Sequence, residues 1–535
     1  MTPLKRMSLI PLLLISLLTF GLTTAHANAE EVAETPVAMS AVDRFEKSIN
    51  DLMGPVTNAV AGAVLYQIWV GDLGEDGECS AEESCFGVRW IVLWLGVGAL
   101  FFTFYLKFIN LRGFRHAIDL VRGKYSDPNN PGEVTHFQAL ATALSGTVGL
   151  GNIAGVAIAI SMGGPGATFW MILAGFLGMS SKFAECTLGV MYRNEYADGH
   201  VSGGPMHYLS KGLAEKNLTV LGQFLAVFFS VCCIGAALGA GNMFQSNQAF
   251  SMLAKVAGED STIASMPSIF GFIMAVMVGI VILGGIRSIA KVTEKLVPLM
   301  ASLYLLGALF IIISHADQIP SAFGAIFTGA FSAEGVIGGA MGALIAGLQR
   351  AAFSNEAGIG SASIAHSCVK TDKPVTEGFV ALLEPLIDTI VICTLTALVI
   401  VITGVYQDQT GISGVELTAQ AFTSVIPWFD WVLLIAVILF AYSTLLCWAF
   451  YASKCWMFLF GENKRADRAF KLVFCGFIVV GAVMSLDNVI GFSDAMFFLM
   501  GLANMTGLYI LAPKIKQALN EYCQQLQSGE IKPHK

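Results

Sequence analysis

The chain has 535 residues, of which 55% are hydrophobic and 13% charged, about half the charged share of an ordinary soluble chain. That composition excludes coiled coils, disordered chains and nucleic-acid-binding proteins, and with 56 glycines spread through apolar stretches it points to a polytopic membrane protein. The net charge of −8 adds little, and only Cys79 and Cys85 among the cysteines need a redox argument.

Lys5 and Arg6 precede an apolar run from Leu9 to Leu22, and Ala25-His26-Ala27-Asn28-Ala29 offers two overlapping A-x-A cleavage sites, after Ala27 or Ala29. This reads as a secretory signal peptide over 1–29, with an uncleaved anchor as the weaker alternative because the run is short for a span. Residues 30–88 then form an extracytoplasmic segment. There Cys79 and Cys85 can oxidise to a disulfide, the alternative being two free thiols.

From Arg89 onward eleven apolar segments follow, at about 89–110, 136–161, 165–192, 218–255, 265–286, 297–314, 336–360, 377–404, 428–453, 472–486 and 492–512. If the first runs inward, Arg112, Arg115, Arg122 and Lys124, Arg287 and Lys291, and Lys464, Arg465, Arg468 and Lys471 all fall in cytoplasmic connections. The opposite connections 256–264, 316–335 and 405–427 contain no Lys or Arg. The positive-inside rule therefore sets the N-terminus outside and the tail 513–535 in the cytoplasm of an inner-membrane protein.

Two segments carry glycine and polar clusters where a spanning helix should keep its backbone bonded. The second reads from Thr142 through Ser145, Gly146, Thr147, Gly149, Gly151 and Asn152 to Gly155; the seventh reads from Gly347 through Gln349, Arg350, Ser354, Asn355 and Glu356 to Gly360. Close packing of small residues explains either cluster alone. Their spacing, five segments apart, points instead to an inverted-repeat secondary transporter that binds substrate and ions between half-helices. A dinucleotide fingerprint is excluded, since the third glycine is one residue late and no strand precedes it.

GTVGLGNIAGVAIAISMGGPGATFWM at 146–171 and GMSSKFAECTLGVMYR at 178–193 resemble the alanine or glycine:cation symporter family. GGPMHYL at 203–209, GNMFQSNQ at 241–248, GLQRAAFSNEAGIGSASIAH at 347–366 and STLLCWAFY at 443–451 follow in that family's order, so the resemblance covers about 89–515. It implies sodium-coupled uptake of small neutral amino acids on an all-α, ten-helix (5+5) inverted-repeat fold, related to neurotransmitter:sodium symporters, with broken first and sixth core helices. On that register 89–110 is an extra transmembrane helix, 136–314 the first five-helix repeat and 336–512 the second.

Free backbone N–H groups from Gly149 to Gly151, at the positive end of a half-helix, suit a substrate carboxylate. The Asn152 amide can meet the substrate or lend its oxygen to an ion. Ser443 and Thr444 put two hydroxyls in an apolar helix, where such groups commonly bond their own helix instead. The resemblance makes Ser443 and Thr444 a sodium site with the carbonyls of Ser145 and Val148, and makes Gln245 a substrate contact; interhelical bonding is the alternative for Gln245. Trp448, one turn after Thr444, can cap the pocket and restrict it to a methyl-sized side chain. Glu185, Glu356, Glu384 and Asp388 are the acidic residues in or near the membrane, with Lys182 spaced to pair with Glu185.

The sequence thus reads as a symporter of sodium and alanine, glycine or a similar small amino acid, surrounded by lipid, with no cofactor beyond the coupling ion. Proton coupling through a carboxylate is the closest rival. A cation channel lacks its repeated selectivity loop here, and an enzyme lacks paired catalytic groups.

Overall fold

The computed structural model describes residues 86–197, 199–258, 261–331, 339–407 and 414–533, together with 67–71 and a few positions between 54 and 64. The signal peptide, most of 30–88, Cys79 and Cys85 lie outside the described residues. Gln67–Gly71 pairs antiparallel with Phe86–Arg89 and leads into the first apolar helix.

Each of the eleven apolar segments contains a helix or a pair of helices, and further helices lie between them. In chain order the helices that matter here are α1 (Trp90–Tyr105), α2 (His136–Thr147), α3 (Val156–Gly163), α4 (Ala167–Met191), α5 (Pro205–Ala214), α6 (Thr219–Leu238), α7 (Phe244–Ala257), α8 (Pro267–Ile282) and α9 (Gly285–Ser314). They continue as α10 (Ile319–Phe331), α11 (Gly339–Asn355), α12 (Ala362–His366), α13 (Pro374–Ala381), α14 (Thr394–Thr403), α15 (Val415–Thr423), α16 (Asp430–Phe460), α17 (Lys464–Val483) and α18 (Leu486–Gln527). Among the described residues six helices are long and apolar enough to cross a membrane, and a seventh results if α2 and the stretch 151–163, bent by 51°, form one span. At 1.5 Å per residue the 16-residue helices α1 and α8 fall short of the roughly 30 Å hydrocarbon layer, so length alone does not mark them as spans.

Local chemistry sets several boundaries. The Thr135 hydroxyl accepts the Gln138 N–H while the Gln138 side chain accepts the Thr135 N–H, a capping box that starts α2. Asn463 caps α17 through the Ala466 N–H, and proline opens α5, α8 and α13, where its missing N–H costs nothing. One expectation needs correction: residues 316–331 are helical, a short turn followed by α10, rather than a loop. At the other end α18 runs through Pro513 to Gln527, into the expected tail.

The long helix α16 runs through the interior, packed against α2, α6, α7 and α9, while α4 packs on α1, α11 and α13. Trp448, Tyr304, Tyr208 and Phe440 are fully enclosed. Phe104, Ile280, Ile313 and Leu472 point outward on apolar surfaces suited to acyl chains.

Candidate functional site

α2 is broken at residues 148–150, before a π-helical turn at Gly151–Gly155 leads into α3, and side chains take over donors freed there. The Gly149 N–H donates to Asn152 Oδ1 at 2.9 Å and the Leu150 N–H to Gln245 Oε1 at 3.2 Å. The Gly151 N–H is left as the unspent donor of this break among the described residues. A Cβ on Gly149 would lie 2.4 Å from Thr444 Oγ1, so only glycine lets α16 approach this closely.

The second break follows α11. Glu356 takes a left-handed backbone at φ 57°, and Gly358 and Gly360 are also at positive φ before α12 begins. Asn355 Oδ1 accepts the Ala357 N–H at 3.0 Å, and Asn504 of α18 donates to the Gly358 carbonyl at 2.9 Å. An Asp388 carboxylate joins the two breaks, accepting from Asn152 at 2.7 Å, Ser354 at 2.8 Å and Thr389 at 2.7 Å.

Gly146, Thr147, Gly149 and Gly151 from the first break, Phe353 and Glu356 from the second, and Ala240, Gln245, Trp448 and Phe497 line one cavity of about 10 Å³. That is close to the room one water needs. Trp448 packs against Gly241, where a Cβ would lie 2.2 Å from Trp448 Cγ, and its ring lies 6.0 Å from that of Phe497. Phe497 in turn lies 5.4 Å from Phe353. Beside these rings Arg350 pairs with Asp494, both buried, and Gln349 donates to Asp494 at 2.6 Å. Arg89, at the start of α1, extends this polar plug by donating to Gln349 at 2.5 Å.

The expected site residues thus converge, with roles that the geometry refines. Gly149, Gly151, Gln245 and Trp448 line the cavity. Thr444 abuts Gly149, and Ser443 Oγ lies 3.5 Å from the Ser145 carbonyl, while both hydroxyls also bond the Phe440 carbonyl of their own helix. Asn152 spends both ends of its amide on the chain. Its Nδ2 reaches Asp388, Ser354 and Cys393 besides the Gly149 bond to Oδ1. Gln245 is likewise occupied, donating to the Ala240 carbonyl at 2.9 Å.

Beyond the cavity lies a buried network that the sequence reading found only in part. Lys182 sits 3.6 Å from Glu185, as its spacing suggested, and 3.2 Å from Glu384. His366, the last residue of α12, is enclosed between Glu377 at 2.5 Å and Glu384 at 2.7 Å, and Glu377 also binds His136. Cys186, His366 and Glu384 lie close enough to share an ion, but both His366 nitrogens are committed to carboxylates. The signal available was periodicity: Glu377 and Glu384 lie two helical turns apart on one face of an otherwise apolar segment. At the far end of α2 from the break, Glu133 binds His200 at 2.8 Å, and the buried Lys454 donates to the other His200 nitrogen at 2.7 Å. Burial pushes the Glu133 carboxyl up, but the His200 and Val201 hydrogen bonds outweigh it and hold it below the usual range.

Long apolar helices with two unwound segments facing one cavity are the architecture of a multi-pass membrane transporter. The chain belongs to the sodium:alanine symporter family, whose model matches residues 79–535, against the resemblance over about 89–515. It is 40% identical to the sodium/alanine symporter AgcS of Methanococcus maripaludis over 81% of this chain and 94% of that one. It is 34% identical to the probable sodium/glutamine symporter GlnT of Bacillus subtilis, over 84% and 91%. The crystal structure of MhsT in complex with L-phenylalanine shares the fold at a TM-score of 0.50 and 14% identity, covering 73% of this chain and 98% of that one.

If Trp448 limits the cavity, Trp448→Ala should admit larger side chains. Competition of labelled alanine uptake by valine and leucine checks this; an unchanged preference would return the indole to a packing role.

Proposed function

We propose that the protein is a sodium-coupled symporter that imports a small neutral amino acid, alanine, glycine or a similar one, across the inner membrane by alternating access. The observation that carries this reading is one small cavity lined from both helix breaks, with Trp448 among its walls. The names of AgcS and GlnT support an amino acid and sodium as cargo. On this reading 136–314 and 336–512 are the two five-helix repeats, 89–110 is the extra helix, and the N-terminus is outside and the C-terminus cytoplasmic, as the lysine and arginine distribution favours.

Sodium is a hard cation that favours oxygen ligands. Ser443 Oγ and the Ser145 carbonyl, 3.5 Å apart, can share one cation at the roughly 2.3–2.6 Å that such ions take, with Thr444 and the Val148 carbonyl completing the set. One sodium moving through 100 mV supplies about 2.3 kcal/mol, or on the order of 50-fold accumulation before any concentration gradient. The rival is proton coupling through Asp388 or Glu356, the carboxylates nearest the breaks. Proteoliposome uptake of labelled alanine under a sodium gradient at fixed pH, then under a pH gradient without sodium, separates the two. Full activity in the second condition overturns sodium coupling. Thr444→Val is expected to raise the sodium concentration for half-maximal uptake by at least about tenfold, since each lost oxygen contact to an ion is worth about 1.5–3 kcal/mol; an unchanged sodium dependence would move the site elsewhere.

A further inference from the structure

Among the residues lining the cavity Glu356 alone carries a charged side chain, and the sodium reading gives it no part. Its carboxylate accepts a hydrogen bond from Ser361. Among the described residues no Lys, Arg or His nitrogen lies within 4.0 Å of it, because the neighbouring cations are committed elsewhere: Lys182 to Glu384 and Glu185, Arg350 to Asp494. Its backbone is left-handed at φ 57°, the one buried case among the non-glycine residues with positive φ, which are otherwise the exposed Lys107, Phe108 and Asn217. A buried side chain held in a sparsely populated conformation marks a position fixed by its surroundings. A buried carboxylate facing a cavity with no cation in contact, its nearest one, Lys182, being shared with Glu384 and Glu185, is costly, and a cationic group entering the cavity reduces that cost.

We infer that Glu356 is the acceptor for the α-ammonium group of the bound amino acid, so that the transporter selects for a free amino group through this residue. The inference rests on the amino-acid reading above. The ammonium and carboxylate of an α-amino acid are separated by a single carbon, and the two walls of the cavity carry matching partners: Glu356 at the second break and the unspent Gly151 N–H at the first. The other polar lining side chains, Thr147 and Gln245, already bond backbone groups of the chain. The oxygens assigned to sodium, on Ser145, Ser443 and Thr444, do not include Glu356, which leaves its charge for the substrate.

The test uses purified full-length protein with saturating sodium and compares the binding of alanine with that of lactate, which has a hydroxyl in place of the ammonium. Wild type should bind alanine at least about 100-fold more tightly than lactate, and equal affinities would overturn the inference without any variant. In Glu356→Gln the alanine affinity should fall by about 100-fold while lactate changes by less than threefold, and sodium should still raise the thermal midpoint. Glu356→Asp, which keeps the charge, should retain part of the preference. A Glu356→Gln protein that keeps the alanine-to-lactate ratio overturns the inference. Loss of the sodium-induced thermal shift with the ratio intact also overturns it, by assigning the carboxylate to the ion. If wild type binds no amino acid at all, the proposed function itself falls, a result distinct from either.

Discussion

Lys182→Met is expected to destabilise the folded protein by about 3–5 kcal/mol, because it leaves two buried carboxylates, Glu185 and Glu384, without their common cation. The loss would spread, since the network runs from His136 on α2 through Glu377 and His366 to Glu384, Lys182 and Glu185, and Asn504 then carries it to α18. It clamps the leading half of one broken helix to the trailing half of the other. Thermal unfolding of the purified protein in detergent measures the effect. Lys182→Met combined with Glu185→Gln should recover part of the lost midpoint, because the glutamine oxygen can still accept from Asn504 while one orphaned charge is gone. A single variant that melts with wild type would show that the carboxylates find other partners.

The positions of the helices were legible because lipid-facing segments must be apolar and about 20 residues long, whatever they pack against. The two breaks were legible for the opposite reason: Gly149, Gly151 and Asn152, or Asn355, Glu356 and Gly358, are poor choices for a continuous helix in lipid and need a structural reason to be there. α10 was missed because its sequence, IPSAFGAIFTGAF, is short and follows a charge-poor loop pattern, so its helix depends on packing against α4 and α11. α18 continues through Pro513, although a proline ordinarily ends a helix.

Site residues were legible as types but not as partners. Spacing paired Lys182 with Glu185, three residues away, but Glu384 lies 202 positions further along the chain and only the fold brings it to the same ammonium. Asn152 stood out as a polar residue at membrane depth, and substrate or ion was the natural reading for it. Its actual partners, Asp388 and Ser354, come from the other half of the chain. The second break therefore acts on the first through side chains, which the separate reading of each motif could not reveal.

Asn152→Ala is accordingly expected to abolish uptake while leaving membrane insertion intact. The substitution strips the Gly149 N–H of its acceptor and Asp388 of one donor, both in a buried site. Each orphaned group costs about 1–3 kcal/mol, so together they should depopulate the closed arrangement by at least roughly 30-fold. Asp388 retains Ser354 and Thr389, which keeps the fold, so the defect should appear in transport more than in thermal stability. Asn152→Asp should be equally inactive, since it sets a second carboxylate against Asp388. The exchange Asn152→Asp with Asp388→Asn restores one amide and one carboxylate to the same contact, and partial recovery of alanine uptake in proteoliposomes would identify the bond between the two breaks as the element that transport requires. Normal uptake by Asn152→Ala at wild-type expression would show that the first break is held by Gln245 and the close approach of Thr444 alone.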